Sequence, residues 1–407
     1  MAINDLLIRR RTRATLFFST ALVEPALALV SLLPFILRKE LHASIYWIAL
    51  FTSLKQGSVV LSYFWNRRLS PEKELIQHNL LLTGLLGYIP FFFFPFCTNA
   101  PALIVLSAFY MVFSKALLPG WLEMLKLNLD EGERKRLFSL SSSIGYLIGI
   151  LVGIFSALWF KSENALWQFP FAIAGALGIV SVVLQFKLPL NVGPRTFSPV
   201  GFKETLKGSF SLLRRDRDYA LFQLVFMLGG MGLMMMIPSS AVFWADRLHL
   251  TYVQICMGKM LVAALGYIAA SLIWSRRLSR QSILFSTSVT CLAFALFALA
   301  MFGSLAAFPL IYVSFFFYGV GQAGSHVVWH LSGSIFSGEE KDSRPYSNLN
   351  AFFLGVRGLV VPFVSAAVTY YWGDTSAMVA GLILSLAAAL IPPLALSKNR
   401  PKKQVIA

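Results

Sequence analysis

Long uninterrupted apolar runs dominate this chain of 407 residues. A helix crossing about 30 Å of hydrocarbon needs about 20 apolar residues. Twelve stretches meet that length: Leu16–Leu37, Ile45–Trp65, His78–Cys97, Ala102–Leu122, Ser139–Phe160, Leu166–Lys187, Tyr219–Phe243, Tyr252–Trp274, Ser282–Gly303, Phe308–His330, Asn348–Tyr371 and Ser376–Leu396. They are continuous and lack period-2 alternation, so they predict helices and not a barrel. The fold class expected is an all-α membrane protein with twelve transmembrane helices. Charged residues make up only 13% of the chain, about half of what soluble domains carry, which argues against a soluble two-domain enzyme.

The net charge of +17 would suggest nucleic acid in a soluble chain. Its placement points elsewhere. With the N-terminus inside, the inner segments hold 27 of the 35 Lys and Arg and the outer loops hold 4. That bias orients the chain with both termini cytoplasmic, in the cell membrane, and no nucleic-acid partner is expected. The start, Arg9–Arg13 before an apolar run, is similar to a signal peptide. The run is long and contains Glu24-Pro25, so a retained first helix is expected. Cys97, Cys256 and Cys291 form no Cys-x-x-Cys, and neither a disulfide framework nor a metal centre is expected.

The polar stretch Leu188–Asp218 separates two sets of six runs. Phe202, Leu206, Phe210 and Leu213 recur in it at helical spacing among Lys203, Lys207 and Arg214, which predicts an interfacial helix. Residues 1–187 and 219–407 are thus expected to be two halves. They repeat: Trp65-Asn66-Arg67-Arg68-Leu69-Ser70 recurs as Trp274-Ser275-Arg276-Arg277-Leu278-Ser279, 209 residues on. Trp121 matches Trp329, and Arg136-Leu137-Phe138-Ser139 matches Arg344-Pro345-Tyr346-Ser347, both at 208. Six spans is an even number, so both copies have one orientation, a parallel repeat found in secondary transporters.

Several motifs resemble the major facilitator superfamily over nearly the whole chain. They are the inner-loop Asn66-Arg67-Arg68, the charged loop Asp130-Glu131-Gly132-Glu133-Arg134-Lys135-Arg136, and the following Ser141-x3-Gly145-x3-Gly149-x3-Gly153. Gly338-Glu339-Glu340-Lys341 and Gly355-Val356-Arg357-Gly358 with Pro362 echo them in the second half. Ser62, Asn66 and Leu69-Ser70 depart from the family's loop pattern, which implies a rearranged inner gate. The resemblance implies two parallel six-helix pseudo-repeats, alternating access, and spans 1, 4, 7 and 10 around a cavity. It implies that spans 2 and 11 meet across the halves.

Ionisable groups at mid-bilayer are unfavourable and so face a cavity or a partner. Glu24 lies 8 residues from the inner end of span 1, about 12 Å. Lys55 lies 10 residues in, about 15 Å, and Arg357 lies 9 residues in, about 14 Å. With the resemblance, these three are expected to share a space as substrate and ion-coupling residues. The competing reading is a fixed ion pair of Glu24 with Lys55 or Arg357 that holds helices in register. The excess of cations favours an anionic metabolite.

Lys115 and Lys259 lie nearer the two faces and can extend towards them. With Trp121, Trp329, His326, Gln56 and Gln223 they are candidate cavity or gate residues. Arg67, Arg68, Arg276 and Arg277 are candidate cytoplasmic gate residues, with orientation charges as the plainer alternative. His326 and His330 have a metal-ligand spacing, but no Cys or carboxylate stands beside them in the helix, so interfacial or gating roles are preferred. The glycine stripe of span 5 is read as close helix packing.

No Gly-x4-Gly-Lys-Ser/Thr loop, Gly-x-Ser-x-Gly or His-Glu-x2-His occurs, so ATPase and hydrolase chemistry have no motif. The function expected is secondary transport of a small-molecule substrate, coupled to an ion, with the proton first. The chain is expected to work as a monomer among membrane lipids, without a cofactor. The alternatives are efflux of amphipathic compounds, which the 36 Phe favour, and a non-transport membrane scaffold.

Overall fold

A computed structural model of the chain describes residues 2–66, 73–161, 166–189, 210–274, 280–337 and 344–398. Among these residues there is no strand, and each of the twelve apolar runs falls on helix. Nine helices among the described residues are long and apolar enough to cross a membrane. We number the helices α1 Ala2–Val30, α2 Leu33–Lys39, α3 Ile45–Asn66, α4 Lys73–Tyr88, α5 Ala100–Asn128, α6 Glu131–Trp159 and α7 Phe169–Phe186. The second set is α8 Arg217–Val242, α9 Tyr252–Cys256, α10 Ala263–Trp274, α11 Arg280–Gly303, α12 Leu310–Ser337, α13 Arg344–Trp372 and α14 Asp374–Lys398.

Three expected single helices change along their length, two of them at prolines. Span 1 divides into α1 and α2, where Pro34 opens the second helix. Proline lacks an N–H and suits a first helical turn, so the chain restarts there. Span 3 tightens after Tyr88 into a 3₁₀ stretch, Ile89–Phe96, that contains Pro90 and Pro95. In span 8, a π-helical stretch, Met257–Val262, joins α9 to α10. Another, Phe243–Arg247, ends span 7. Within the interfacial segment, 210–215 is helical and 190–209 lies outside the described residues.

The chain forms two compact units. Unit 1 is Met1–Pro199 with Trp244–Leu261; unit 2 is Val200–Phe243 with Val262–Ala407. In unit 1, α1 packs on α6 and α7, α3 on α5, and α4 on α5 and α7. In unit 2, α8 packs on α13 and α14, α10 on α12, and α11 on α12 and α14. The internal repeat is therefore also a repeat of helix pairing.

Unit 1 has a core cluster of Leu16, Ile76, Leu80, Trp121, Met124 and Leu125. The corresponding cluster of unit 2 is aromatic, with Tyr219, Phe222, Phe226, Phe336 and Tyr346. Side-chain oxygens cap the helix starts. Asn99 accepts from the Ala102 N–H at 2.9 Å, and Asp216 accepts from the Tyr219 N–H at 3.0 Å. On α6 the exposed Leu147, Leu151 and Leu158 form one face, and the glycine stripe Gly145, Gly149 and Gly153 points to protein neighbours. An apolar outer face is what lipid requires.

Candidate functional site

Glu24 stands on α1 immediately before Pro25. Its carboxylate lies against α6 at Gly145 and Gly149. A Cβ at Gly145 would come within 3.1 Å of Glu24 Oε2, and one at Gly149 within 3.3 Å of Oε1. Among the described residues of unit 1, no Lys or Arg lies within 4 Å of this carboxylate, so the competing Glu24–Lys55 ion pair is not formed there. Tyr110 of α5 is within electrostatic reach of Glu24. Its hydroxyl is buried without a hydrogen-bond partner among the described residues. Tyr110 also packs on Phe91, with ring centroids 4.9 Å apart.

Three lysines share this unit. Lys55 of α3 and Lys115 of α5 are exposed by surface area, and Lys259 is half-buried. Lys55 is within electrostatic reach of both Lys115 and Lys259. None forms an ion pair among the described residues. Lys259 is held inside unit 1. Its Nζ donates to the Ser31 carbonyl at 2.7 Å and lies 5.2 Å from the Trp244 ring centroid. That ring face attracts a cation.

Arg357 of α13 is the buried cation of unit 2, with 5% of its surface exposed. Its Nη1 donates to the Phe226 carbonyl of α8 at 2.5 Å, and its guanidinium carbon lies 4.5 Å from the Phe226 ring centroid. Its Nε has no partner among the described residues. A planar guanidinium suits this arrangement, because it can stack on a ring and donate in its own plane. Gly230 makes room for it, since a Cβ there would overlap the guanidinium.

Gln223 belongs to a buried polar network. Its Nε2 donates to the Tyr219 hydroxyl at 2.8 Å and to Asn350 Oδ1 at 3.3 Å. The Tyr219 hydroxyl donates to the Tyr346 carbonyl at 2.6 Å, and Asn350 Nδ2 donates to Ser332 Oγ at 3.3 Å. These bonds tie α8, α12 and α13 together. Trp121 lies in the core cluster of unit 1, with 7% exposed. Gln56 is half-buried on α3. His326 is exposed on α12, with its ring 6.4 Å from that of Tyr267. Trp329 lies on the α12 backbone. Arg67, Arg68, Arg276 and Arg277 lie outside the described residues.

Both ends of unit 1 carry ion pairs. At one end, Arg9 Nη1 donates to Asp130 Oδ2 at 2.6 Å and Arg13 pairs with Glu133, so the basic start of α1 holds the charged loop before α6. At the other, Arg38 bonds both Asp246 oxygens, its Nε at 3.0 and 2.8 Å. There Lys39 Nζ donates to the Leu250 carbonyl at 2.5 Å, and the Tyr252 hydroxyl donates to Glu40 Oε1 at 2.8 Å.

Tyr110, Arg38 and Asp246 are absent from the residues singled out in the sequence. One signal was present for the last two. Leu41-His42-x-Ser44 recurs as Leu248-His249-x-Thr251, 207 residues on. Both histidines adopt positive φ, 46° and 47°, at the turns that end the first long helical run of each half. No comparable signal marks Tyr110.

Comparison with known proteins places this architecture. The chain resembles the solved nucleoside transporter NupG at 16% identity and TM-score 0.67, covering 97% of this chain and 100% of that one. It resembles a POT family transporter in complex with a thioalcohol-conjugated peptide at 13% identity and TM-score 0.70, covering 95% and 96%. A third, a POT family transporter in complex with 5-aminolevulinic acid, matches at 12% identity and TM-score 0.69, again covering 95% and 96%. At these identities the likeness is one of fold. No curated protein matches the chain by sequence. Residues 14–344 match the sequence profile of the Major Facilitator Superfamily. That match spans most of the chain, and with the all-helical fold it makes this protein a member of the major facilitator superfamily of membrane transporters.

Proposed function

We propose that this chain is a secondary active transporter that moves a small solute by alternating access, coupled to protons, with an anionic metabolite as its substrate. The observation that carries the reading is Glu24. It is a carboxylate on a membrane helix, seated against glycines, with no cation within 4 Å among the described residues of its unit. A fixed structural pair would keep such a group charged and occupied. Without one, it is free to take up and release a proton. In this reading Glu24 is the coupling residue, and Lys55 and Arg357 meet the substrate's negative charge. Lys115 and Lys259 add to the positive field around Lys55, which favours anions further. The residues 1–187 and 219–407 are the two functional halves. The basic inner loops, with Arg67, Arg68, Arg276 and Arg277, face the cytoplasm together with both termini, and the monomer in the cell membrane is the working unit.

The second reading, efflux of amphipathic compounds, is favoured by the aromatic richness of the chain, with 36 Phe. Substrate charge separates the two. Purified protein is screened by thermal shift against dicarboxylates, sugar phosphates, nucleosides, short peptides, 5-aminolevulinic acid and cationic dyes. The hits are then tested for flux in proteoliposomes. Anion hits whose flux moves protons support the proposal, and stabilisation by cationic dyes alone refutes it.

A further inference from the structure

Glu24 and Arg357 share a device that the internal repeat exposes. Glu24 projects from α1 onto the bare backbone of α6 at Gly145 and Gly149. Arg357 projects from α13 onto the bare backbone of α8 at Gly230. α1 pairs with α6 in unit 1 as α8 pairs with α13 in unit 2. At the repeat offset of 208, Gly149 corresponds to Arg357 itself. Glu24 corresponds to Gly232, two positions after Gly230. The same helix pair in each unit therefore carries one charged side chain and one glycine seat, and the two helices have exchanged roles.

We propose that Gly145 and Gly149 are positioning residues for Glu24, and Gly230 for Arg357. Each unit sets one charged side chain against glycine on a partner helix, within the same helix pair and with opposite charge. Ordinary close packing of small residues does not account for these contacts. Gly153 on α6 meets Met260, and Gly232 on α8 meets Ser385 and Gly381, which is packing. Gly145, Gly149 and Gly230 meet charged atoms instead. Arg357 is 5% exposed and its Nε is unpartnered among the described residues, so its place depends on one carbonyl, one ring and the space above Gly230. A methyl at Gly230 removes that space and forces the guanidinium off the Phe226 carbonyl. Methyls at Gly145 and Gly149 crowd both carboxylate oxygens by a few tenths of an ångström, and Glu24→Asp withdraws the carboxylate by one methylene.

The inference rests on the proposed function for its significance, but its test does not need transport. Purified full-length protein is treated with phenylglyoxal, which modifies accessible guanidinium groups, and the Arg357 peptide is quantified by mass spectrometry. The expected result is slow labelling in wild type and in the control Gly303→Ala, whose methyl meets only the tip of Leu310, and labelling about tenfold faster in Gly230→Ala, because rate follows local exposure. Equal labelling in Gly230→Ala and wild type overturns the proposal. Should Gly230→Ala fail to accumulate, Gly230→Ala/Arg357→Lys, with its slimmer tip, is expected to recover folding; no recovery overturns the proposal.

For the acid, labelling of Glu24 by dicyclohexylcarbodiimide is followed across pH. Gly145→Ala/Gly149→Ala is expected to shift the midpoint by about one pH unit, a tenfold change in proton affinity. Adding Glu24→Asp returns it towards that of the Glu24→Asp single variant, and Gly153→Ala leaves it unmoved. A midpoint unchanged in the double alanine variant overturns the seat. If the seats hold while Arg357→Ala transports normally, the transport reading fails and the positioning stands.

Discussion

Unit 1 and unit 2 pair their helices alike and differ in what they bury between them. In unit 1 the first helix supplies an acid and the fifth supplies glycines; in unit 2 the fifth supplies an arginine and the first supplies the glycine. The acid has no ion-pair partner among the described residues of its unit, whereas the arginine has a carbonyl and an aromatic face. The difference teaches that the repeat preserves backbone geometry while the chemistry diverges. A helix seam that tolerates one buried charge can be built twice and given opposite sign. Under the proposed function, unit 1 handles the proton through Glu24, and the substrate's negative charge is met from both units, by Lys55 and by Arg357.

The largest expected effect falls on unit 2. Arg357→Ala should lower anion flux in proteoliposomes at least about 100-fold while the protein still inserts, because both the charge and its fixed orientation disappear. Arg357→Lys should recover only part of this, since an ammonium cannot both stack on Phe226 and donate in plane. Flux at the wild-type rate in Arg357→Ala would break the assignment of Arg357 to the anion.

The matching change in unit 1 should be different in kind. Glu24→Gln is expected to abolish proton-driven accumulation while leaving exchange of substrate across the membrane within about threefold of wild type. Counterflow and accumulation assays on the same vesicles measure the two. Equal loss of both would make Glu24 a structural residue and remove the contrast.

How much of this contrast was legible in the amino-acid sequence depends on the range of the interactions. The twelve apolar runs, the superfamily resemblance and the offset of 208 depend on local hydrophobicity and on recurring loop residues, and all could be read directly. The break at Pro34 and the 3₁₀ stretch at Pro90 and Pro95 were signalled by the prolines, but a hydropathy window averages over them. The membership of Trp244–Leu261 in unit 1 was not legible, because it comes from tertiary contacts such as Arg38–Asp246.

Glu24 and Arg357 stood out as ionisable residues in apolar runs. Their neighbours did not, because periodicity places a residue on a helix face and does not name what covers that face. Gly145 and Gly149 looked like a packing stripe for the same reason. Lys259 was read as extending towards a membrane face, and its bond to the Ser31 carbonyl within unit 1 was not legible.

Two smaller effects sharpen the comparison. Gln223→Leu in unit 2 leaves the Asn350 Oδ1 acceptor without its partner and should cost about 1 kcal/mol, read as a lower Tm in detergent. Arg38→Ala in unit 1 removes a pair whose members are both partly exposed, so the loss should stay below about 1 kcal/mol and shrink with added salt. The smallest effect tests what the repeat has kept. His42→Gly and His249→Gly relieve the same left-handed backbone conformation, so the stability changes read from their Tm should agree in sign and lie within about 0.5 kcal/mol of each other. Shifts of opposite sign would show that the two turns are alike only in outline.

The most direct measurement is proton movement in proteoliposomes loaded with a pH-sensitive dye, on adding the anion selected by thermal shift. Wild-type protein should acidify or alkalinise the lumen in step with anion flux, and Glu24→Gln should carry the anion with no dye response. A proton signal that survives in Glu24→Gln, or anion flux in wild type with none, would contradict the assignment of proton coupling to unit 1.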